Sequence, residues 1–531
     1  MSPLPIRRER AWVLAFSIGL ILLTGLPYVA AATQPQMEFT GFIYGVEDGN
    51  SYIATMLAGA NGDWLFQSPY TTHAQNGALL FLPYLLLGKL VGPNAQHGQL
   101  VLLFHVFRSL SLIALCFAAY EFLALFINRL SLRRLGLALV TLGAGLGWLL
   151  WFLGVPSFFG SISLDFYSPE TFGFLANFML PHIVLARALL LWGLHRYLRG
   201  ASGGAWLDAL IWFSMALFQP ITAAVGLVLI AAHTAFRLAS RQARRSLALK
   251  DILAFARPLI GPALGAGSIL LISVWQYLTD DYLRAWAIQN QSLSPNIIHY
   301  LLAYGWMLPF VYLGARALLS KDRTKASFLL VWLTLLPLLI YAPIGLQRRL
   351  AEGAWVMLLI LALNAFDKGR LAKRSRELWV FSLAVPSTLL LLFGAWQLAT
   401  QPAVPVFRPP DEIAAFQGLR ALAQPSDVVM ASYATGSALP AWAPLHVVAG
   451  HATESVGLDK LLPRVQAFYQ GRTSDDVRLE FLQQHNVAYV FWGPNEQAFG
   501  SWLPYQESYL ERIVQVGEYQ IYRVLADEAF D

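Results

Sequence analysis

Residues 39–52 read FTGFIYGVEDGNSY, and this stretch directly follows the first long apolar segment of the chain. It places two adjacent carboxylates, Glu47 and Asp48, among glycines and aromatic residues. It also opens a mostly uncharged loop that runs to about residue 99. Charged residues are rare in this chain, so an acidic pair in such surroundings predicts a functional loop.

The composition around this loop indicates a polytopic helical membrane protein. The 531 residues are 57% hydrophobic and only 13% charged, whereas a soluble domain carries about 25% charged residues. The mean hydropathy is +0.52. Apolar runs of about 20 residues, the length of a membrane-spanning helix, recur along most of the chain. The single cysteine, Cys116, excludes a disulfide framework and a cysteine-based metal site.

The basic residues predict the orientation in the membrane. The net charge is +6, but Lys and Arg flank the apolar runs instead of covering a polar domain, so nucleic-acid binding is not expected. Six segments hold 22 of the 37 basic residues, and they begin at Arg7, Arg129, Arg196, Arg237, Arg316 and Lys368. All six lie on the cytoplasmic side if the short run at 77–92 does not cross. We therefore expect 77–92 to form a helix that lies on the outer face or dips into it.

The predicted fold class is an all-α polytopic membrane protein with about eleven transmembrane helices, the N-terminus inside and the C-terminus outside. An alternative interpretation of the N-terminus as a cleaved signal peptide also leaves the next loop outside. The predicted spans are residues 11–31, 100–127, 135–154, 174–195, 205–218, 220–236, 256–278, 297–319, 326–343, 352–366 and 378–400.

The chain is predicted to end in a small extracytoplasmic α/β domain. Residues 1–400 form the predicted transmembrane domain, with its first outer loop at 32–99, and residues 401–531 form the outer domain. Prolines cluster at its start and ordinary globular patterning follows. The pattern predicts helices at 411–423, 458–469 and 475–484, strands at 427–431, 446–449 and 487–492, and a closing hairpin at 513–516 and 520–524.

The other outer loops add polar groups that suit an anionic, lipid-linked substrate. The second outer loop contains Asp165 and Glu170, and the fourth contains Gln347-Arg348-Arg349. A guanidinium binds phosphate oxygens in a bidentate manner and keeps its charge in any environment. Arg348 and Arg349 are therefore candidates for binding a lipid phosphate, and interfacial anchoring is the alternative.

Four further residues have two interpretations each. Arg108 and His182 are ionisable residues within predicted spans, where such groups usually face a cavity or a partner. Arg108 lies near the first loop and is a candidate contact either of the substrate phosphate or of the loop carboxylates. His182 is either a substrate contact or a buried structural histidine. Tyr52 and His73 either bind the substrate or belong to the aromatic belt of the interface.

Two short segments of the outer domain follow predicted strands. Gly450-His451 and Gly493-Pro494-Asn495-Glu496 either edge a ligand site or are ordinary turns, and the sequence favours neither. No glycine-rich phosphate loop follows a strand, so nucleotide binding is not predicted.

The layout resembles the membrane-embedded glycosyltransferases of the C superfamily, which use polyprenyl-phosphate-linked sugars. The resemblance covers nearly the whole chain as architecture, and its motifs are short. Protein O-mannosyltransferases and lipid A aminoarabinose transferases share this plan. The resemblance rests on Gly-Val-Glu47-Asp48-Gly-Asn-Ser-Tyr52, the segment 77–92, the loop with Asp165 and Glu170, Gln347-Arg348-Arg349 and the outer C-terminal domain.

This resemblance implies sugar transfer from a polyprenyl-phosphate donor to an acceptor hydroxyl at the outer face. An acidic residue of the first outer loop acts in that superfamily as the base or positions the acceptor. The matching position is Asp48, with Glu47 as its neighbour, although the order differs from the Asp-Glu of the O-mannosyltransferases. Arg348 and Arg349, with Arg108 behind them, would stabilise the leaving phosphate. The predicted substrate-binding residues are Tyr52, His73, Asp165, Glu170, Gln347 and His182.

The resemblance also implies the surroundings of the reaction. No cofactor is required, and a divalent cation held by Asp48, Asp165 and Glu170 is the alternative. The expected partners are the lipid bilayer and the polyprenyl-phosphate sugar, with the acceptor left open. The expected location is a bacterial plasma membrane, multi-pass, with the active site facing the extracytoplasmic side. Two other classes stay open: a transporter or flippase of lipid-linked saccharides, and a non-catalytic envelope assembly subunit.

Overall fold

The computed structural model describes residues 6–200, 204–242, 248–367 and 374–525, and these residues are mostly helical. The basic residues Arg244, Arg245, Lys368, Arg370 and Lys373 of the predicted inner loops lie outside the described residues. The helices of the first 400 residues are α1 (Ile6–Ala32), α2 (Val46–Ala60), α3 (Leu82–Lys89), α4 (His97–Ala124), α5 (Leu130–Leu142), α6 (Gly147–Phe152), α7 (Gly173–Met179), α8 (Pro181–Arg199), α9 (Ala205–Phe218), α10 (Pro220–Gln242), α11 (Leu249–Thr279), α12 (Asp281–Gln289), α13 (Ile297–Tyr304), α14 (Leu308–Lys321), α15 (Arg323–Ile340), α16 (Ala354–Asn364), α17 (Arg374–Ser382) and α18 (Pro386–Thr400).

Six helical segments within the described residues are long and apolar enough to cross a membrane. They are Arg7–Ala32, His97–Ala124, Pro220–Gln242, Leu249–Thr279, Ile297–Lys321 and Arg323–Ile340. These six confirm the polytopic helical class, whereas the count of eleven spans and their orientation stay predictions.

Three of the predicted spans are not continuous helices. The span at 135–154 is divided into α5 and α6 by a segment that contains Gly143 and Gly145, where a helix loses stability. The spans at 174–195 and 378–400 are interrupted before Pro181 and Pro386, each of which begins a new helix. Proline lacks the backbone donor of a helix interior but is well suited to a first turn, so both breaks have a local cause.

The chain divides into two compact units. Unit 1 comprises Met1–Gly25, Val106–Val274 and Gln291–Gly394. Unit 2 comprises Leu26–His105, Trp275–Asn290 and Ala395–Asp531, so it combines the first loop with the C-terminal segment.

Helices in unit 1 pack closely where they carry small residues. A side chain at Gly314 of α14 would meet the backbone oxygen of Leu361 in α16, and one at Gly265 of α11 would meet that of Ala209 in α9. Every residue of α16 is buried. Small residues let helix backbones approach in lipid, where the hydrophobic effect does not drive helices together.

In unit 2, α3 packs tightly against α2. A Cβ at Gly59 would lie 2.1 Å from the carbonyl oxygen of Leu85, and a Cβ at Gly88 would lie 1.7 Å from that of Met56. The two glycines therefore permit backbone contact between the helices. With 8 residues, α3 is about 12 Å long and is too short to cross a hydrocarbon core of about 30 Å.

The C-terminal part of unit 2 contains a five-stranded mixed sheet. The strands of unit 2 are β1 (Glu38–Phe39), β4 (Phe407–Arg408), β5 (Val428–Met430), β6 (His446–Val447), β7 (Val487–Trp492), β8 (Leu510–Val516) and β9 (Tyr519–Val524), and unit 1 contains a short hairpin of β2 (Ser157–Phe158) and β3 (Ser161–Ile162). The order of the five-stranded sheet is β6-β5-β7-β9-β8, with β5 parallel to β6 and β7, and β9 antiparallel to β7 and β8. The helices of this part are α19 (Pro410–Leu422), α20 (Tyr433–Ala438), α21 (Leu458–Phe468), α22 (Asp475–Gln484) and α23 (Pro494–Gln497).

The predicted helices, strands and closing hairpin of this region are confirmed to within a few residues. Their core contains Phe468, Tyr469, Val490 and Trp502, all buried between the sheet and its helices. A strand pair joins the first loop to this region. Strand β1 pairs antiparallel with β4, with Glu38 opposite Arg408 and Phe39 opposite Phe407.

Candidate functional site

Glu47 and Asp48 lie in the first turn of α2, at the positive end of the helix dipole. The helix begins after Gly45, which has the left-handed φ of 58° that glycine adopts without strain. Gly49 lies against the ring of Phe42, where a Cβ would be only 2.3 Å from the ring. The glycines on both sides of the acidic pair thus fix its position.

The two carboxylates have different surroundings. Oε1 of Glu47 accepts hydrogen bonds from the hydroxyl of Tyr433 and the backbone N–H of Ala452. The side chain of Asp48 is 52% exposed, and its Oδ1 lies 3.5 Å from Nε2 of His451. Glu47 is therefore engaged within the protein, and Asp48 presents a carboxylate to solvent.

His451 lies between carboxylates. Its Nδ1 is 3.8 Å from Oε1 of Glu454, and the side chains of both residues are almost fully buried. Burial opposes the charge on the ring, but Glu454, Asp48 and Glu47 outweigh it and raise the pKa of His451 to about 9. The ring is therefore an imidazolium at neutral pH. We call Glu47, Asp48, Tyr433, His451 and Glu454 the first-loop cluster.

Glu454 connects this cluster to the first loop. Its Oε1 accepts a hydrogen bond of 2.5 Å from Ser51 Oγ, and its Oε2 accepts one of 2.5 Å from Ser68 Oγ. Ser51 lies on α2, one helical turn after Glu47. Both oxygens of the buried carboxylate are thus bonded to the loop that carries Asp48.

Sequence reasoning missed Tyr433 and Glu454. It did single out Gly450-His451 as either a ligand-site edge or a turn, and this segment supplies part of the cluster. The second segment has a structural role instead, because Glu496 accepts hydrogen bonds from the backbone N–H groups of Gly493 and Ser432. The available signal in the sequence was the predicted strand at 446–449, which is followed within six residues by His451, Thr453 and Glu454.

Tyr52 and His73 lie in unit 2 in different settings. Tyr52 is buried and stacks on Tyr84, with ring centroids 4.5 Å apart, and also contacts Phe104. His73 is exposed, and its backbone N–H donates to Thr71 Oγ1. Tyr52 therefore packs in an aromatic stack, and the ring of His73 meets solvent.

In unit 1, Arg348 and Arg349 share one buried carboxylate. Nη1 of Arg348 lies 3.2 Å from Glu170 Oε2, and Nε of Arg349 lies 3.9 Å from Glu170 Oε1. Arg348 also lies over the ring of Tyr167, 5.0 Å from its centroid. The structure thus joins two predicted outer loops, and we call Glu170, Arg348 and Arg349 the arginine cluster. Its net charge is positive.

Gln347 and Ser292 hold the arginine cluster in place. Oε1 of Gln347 accepts from the backbone N–H of Ser294, and the Oγ of Ser292 accepts from Nε of Arg349. The backbone N–H of Arg348 donates to the carbonyl of Ser292. The side chain of Gln347 therefore binds the neighbouring loop segment in this structure.

The other predicted site residues of unit 1 are buried. Asp165 accepts a hydrogen bond of 2.6 Å from Ser163 Oγ, and its burial raises the pKa of its carboxyl group. Arg108 is buried in α4 and donates to Thr24 Oγ1 at 3.0 Å. His182 is buried in the first turn of α8. Arg187, in the same helix, forms a buried ion pair with Glu352.

Within the described ranges, no group of three or more His, Cys, Asp or Glu residues could hold a metal ion. The alternative ligands have other partners: Asp48 lies beside His451, Asp165 binds Ser163, and Glu170 binds the two arginines. The donor sets present in each unit thus fit hydrogen bonds and ion pairs.

Comparisons with known proteins give matches among solved structures. No protein-family model and no curated protein sequence matches the chain. The oligosaccharyltransferase AglB from Archaeoglobus fulgidus, solved with an inhibitory peptide and a dolichol-phosphate, aligns over 90% of this chain and 69% of its own, with 12% identity and a TM-score of 0.51. The arabinofuranosyltransferase AftD from Mycobacteria aligns over 97% of this chain and 40% of its own, with 13% identity and a TM-score of 0.51.

ArnT from Cupriavidus metallidurans, an aminoarabinose transferase, aligns over 96% of this chain and 97% of its own, with 13% identity and a TM-score of 0.49. AftD is much longer than this chain. The chain therefore shares its fold with AglB and AftD, an oligosaccharyltransferase and an arabinofuranosyltransferase.

Proposed function

We propose that the protein is a glycosyltransferase that moves a sugar from a polyprenyl-phosphate donor to an acceptor hydroxyl, with Asp48 as the base. The single observation that carries this proposal is the half-exposed carboxylate of Asp48, which a buried imidazolium holds at the start of α2. The fold shared with AglB, which was solved with a dolichol-phosphate, supports a polyprenyl phosphate as the lipid of the donor.

In the proposed reaction the acceptor oxygen forms a bond to the anomeric carbon of the sugar. The bond between that carbon and the phosphate oxygen breaks, and its electron pair leaves with the polyprenyl phosphate. The acceptor proton passes to the carboxylate of Asp48. These reaction steps balance in atoms and electrons without an oxidant, a reductant or a cofactor.

The arginine cluster is the proposed binding site for the phosphate. Two guanidinium groups lie beside one carboxylate, so these three side chains together carry a net positive charge that attracts an anion. A guanidinium that binds the leaving phosphate stabilises the negative charge that develops there. Arg108 is a second candidate for this role, and Tyr52, His73, Asp165, Gln347 and His182 are the remaining proposed substrate residues.

The proposal includes an orientation. The chain spans a bacterial plasma membrane with its N-terminus inside, and residues 401–531 lie on the extracytoplasmic side with the first loop. The positive-inside distribution of Lys and Arg supports this orientation. The acceptor is a protein, glycan or lipid hydroxyl at that face.

The test is release of polyprenyl phosphate from synthetic radiolabelled polyprenyl-phosphate sugars, with mannosyl, glucosyl and arabinofuranosyl donors as the panel. Purified protein is reconstituted with native membrane extract as the source of acceptor. Wild type should release the lipid from one member of the panel, and Asp48→Asn should lose at least a hundredfold in rate. Unchanged turnover in folded Asp48→Asn would overturn the proposal that Asp48 is the base, and unchanged turnover in Glu47→Gln as well would exclude the acidic pair.

The same vesicles distinguish the rival classes. A fluorescent polyprenyl-phosphate sugar that changes leaflet without release of its lipid would assign a flippase. No release and no movement, with intact protein, would favour an assembly subunit. Addition of EDTA should leave the rate unchanged, and a loss that Mg²⁺ or Mn²⁺ restores would assign a divalent cation.

A further inference from the structure

The segment that carries His451 has a fixed conformation. Ser455 Oγ accepts hydrogen bonds from the backbone N–H groups of Gly450 and His451, and it donates to the carbonyl of Tyr70. Gln289 of α12 binds the same segment from its other end. Its Nε2 donates to the carbonyls of Thr453 and Ser455, and its Oε1 accepts from the backbone N–H of Gly457. His451 is therefore held by its backbone before its side chain makes any contact.

The side chain of His451 is directed at two carboxylates by its two ring nitrogens. Nε2 lies 3.5 Å from Oδ1 of Asp48, and Nδ1 lies 3.4 Å from the hydroxyl of Thr453 and 3.8 Å from Oε1 of Glu454. An imidazolium carries an N–H on each nitrogen, so one charged ring attracts both carboxylates. A neutral ring donates through only one of its nitrogens.

The charges around the ring explain why it is protonated. Glu454 lies on the same segment, and Glu47 and Asp48 lie on α2, so three carboxylates surround one cation. The nearby hydroxyls of Tyr70 and Tyr433 stay neutral, because burial raises the pKa of each phenol. Removal of the imidazolium would leave the buried Glu454 without its cation, and Asp48 without the group that fixes its orientation.

We infer that His451 is a positioning residue for Asp48 and that Glu454 in turn fixes the ring of His451. The inference deepens the proposed function and rests on it. His451 does not take the proton of the acceptor, because its ring already carries one. It orients the carboxylate of Asp48 toward the acceptor, because its Nε2 lies 3.5 Å from Oδ1 of Asp48.

If His451 positions Asp48, its loss should change the turnover rate and leave donor binding nearly unchanged. A base displaced by about 1 Å costs on the order of a hundredfold in rate, whereas the phosphate of the donor is bound by other groups. His451→Ala should therefore lower kcat about a hundredfold and leave KM for the donor within twofold. Glu454→Gln should lower kcat by a smaller factor, because Ser51 and Ser68 still bond the amide.

The experiment measures kcat and KM with the donor of the panel that wild type uses, in detergent-purified full-length protein. Wild type, Asp48→Asn, His451→Ala, His451→Gln and Glu454→Gln are compared, and thermal unfolding checks that each variant is folded. Free imidazole at 50 mM, roughly the level needed to fill the vacated space, should raise the kcat of His451→Ala at least tenfold. If His451 were merely structural, imidazole would not raise the kcat of His451→Ala while leaving KM unchanged.

The matched control is His485→Gln. His485 lies in the same C-terminal segment and bonds Thr72 Oγ1 with its ring, so the substitution changes a loop contact without touching the cluster. Its kcat should equal that of wild type, with and without imidazole.

The outcomes are distinguishable. An inactive Asp48→Asn with a full rate in folded His451→Ala and His451→Gln would overturn the inference and leave the proposed function standing. A full rate in Asp48→Asn would overturn both. If His451→Ala does not fold, His451→Gln decides: it keeps one N–H donor and loses the charge, so a rate within threefold of wild type would overturn the inference.

Discussion

The hydroxyl of Tyr433 donates a hydrogen bond to the carboxylate of Glu47 and joins the C-terminal segment to the first turn of α2. The same oxygen of Glu47 accepts from the backbone of Ala452. This carboxylate therefore has a structural partner, and the half-exposed Asp48 next to it is the carboxylate that solvent reaches.

The first prediction compares these two carboxylates. Glu47→Gln and Tyr433→Phe should each lower the free energy of unfolding by about 1–3 kcal/mol, because a partly buried hydrogen bond to a carboxylate is lost. Lipid release should fall less than tenfold in both, whereas Asp48→Asn should lose a hundredfold or more. Thermal unfolding in detergent and donor turnover measure the two effects. A folded Glu47→Gln as inactive as Asp48→Asn would contradict the purely structural role of Glu47.

The second prediction concerns the phosphate. Arg348→Lys keeps the positive charge but loses the planar fork that binds phosphate in a bidentate manner. KM for the donor should rise about tenfold or more, and Arg348→Ala should raise it further. The control is Arg523→Lys, whose side chain is half exposed and pairs with Glu511. Equal KM values in Arg348→Ala and wild type would remove Arg348 from the donor site.

The third prediction tests the close contact of α2 and α3. Gly88→Ala should lower the melting temperature and the yield of folded protein, because its Cβ would overlap the backbone of Met56. Gly98→Ala is the matched control, since Gly98 is helical and its Cβ would meet nothing within 4 Å. Alanine is favoured over glycine in a helix by about 1 kcal/mol, so Gly98→Ala should be neutral or stabilising. A Gly88→Ala protein as stable as wild type would contradict the contact.

The fourth prediction is a pH dependence of stability. The pKa of His451 is raised to about 9 in the folded protein, above its unfolded value of about 6.5. The stabilisation from its charge is complete below pH 6.5 and is lost as pH rises through 9. The melting temperature of wild type should therefore fall between pH 7 and pH 10 more than that of His451→Gln. Parallel curves for the two proteins would show that His451 does not carry this charge.

The fifth prediction concerns topology. In a Cys116→Ala background, single cysteines at the exposed positions 74 and 94, before and after α3, should react with an impermeant maleimide from the same side of the membrane. A cysteine at position 199, in a predicted inner loop, should react only from the other side. Labelling of positions 74 and 94 from opposite sides would show that α3 is part of a crossing, and the eleven-span arrangement would fail.

The sequence predicts the architecture because composition and period are local properties. Apolar length predicts the membrane helices, and alternating patterns predict β7 and the closing hairpin of β8 and β9. Charge distribution and the length of the apolar run predict a helix over 77–92 that does not cross, and the structure has a helix only over Leu82–Lys89 of that range. Local pattern does not predict where a long apolar run breaks. Such breaks lie directly before Pro181 and Pro386, and each proline begins the next helix.

The site was predictable only in part. Asp48 was visible as an acidic pair in an apolar chain, and Arg348 as a guanidinium pair in an outer loop. The approach of Glu170 to both arginines, and of His451 and Glu454 to α2, depends on the packing of loops that are far apart in sequence. Glu454 in particular has the sequence surroundings of an ordinary turn, and only its hydrogen bonds to Ser51 and Ser68 distinguish it.

The pairing of β1 with β4 has a consequence for biosynthesis. The strand at Glu38–Phe39 is made early, yet its partner at Phe407–Arg408 and the cluster residues Tyr433, His451 and Glu454 follow only near the end of translation. Chains are translated at about 5–20 residues per second, so the first loop waits for tens of seconds before its surroundings are complete. A chain that ends short of residue 451 therefore lacks part of the first-loop cluster, so completion of this cluster is coupled to completion of synthesis.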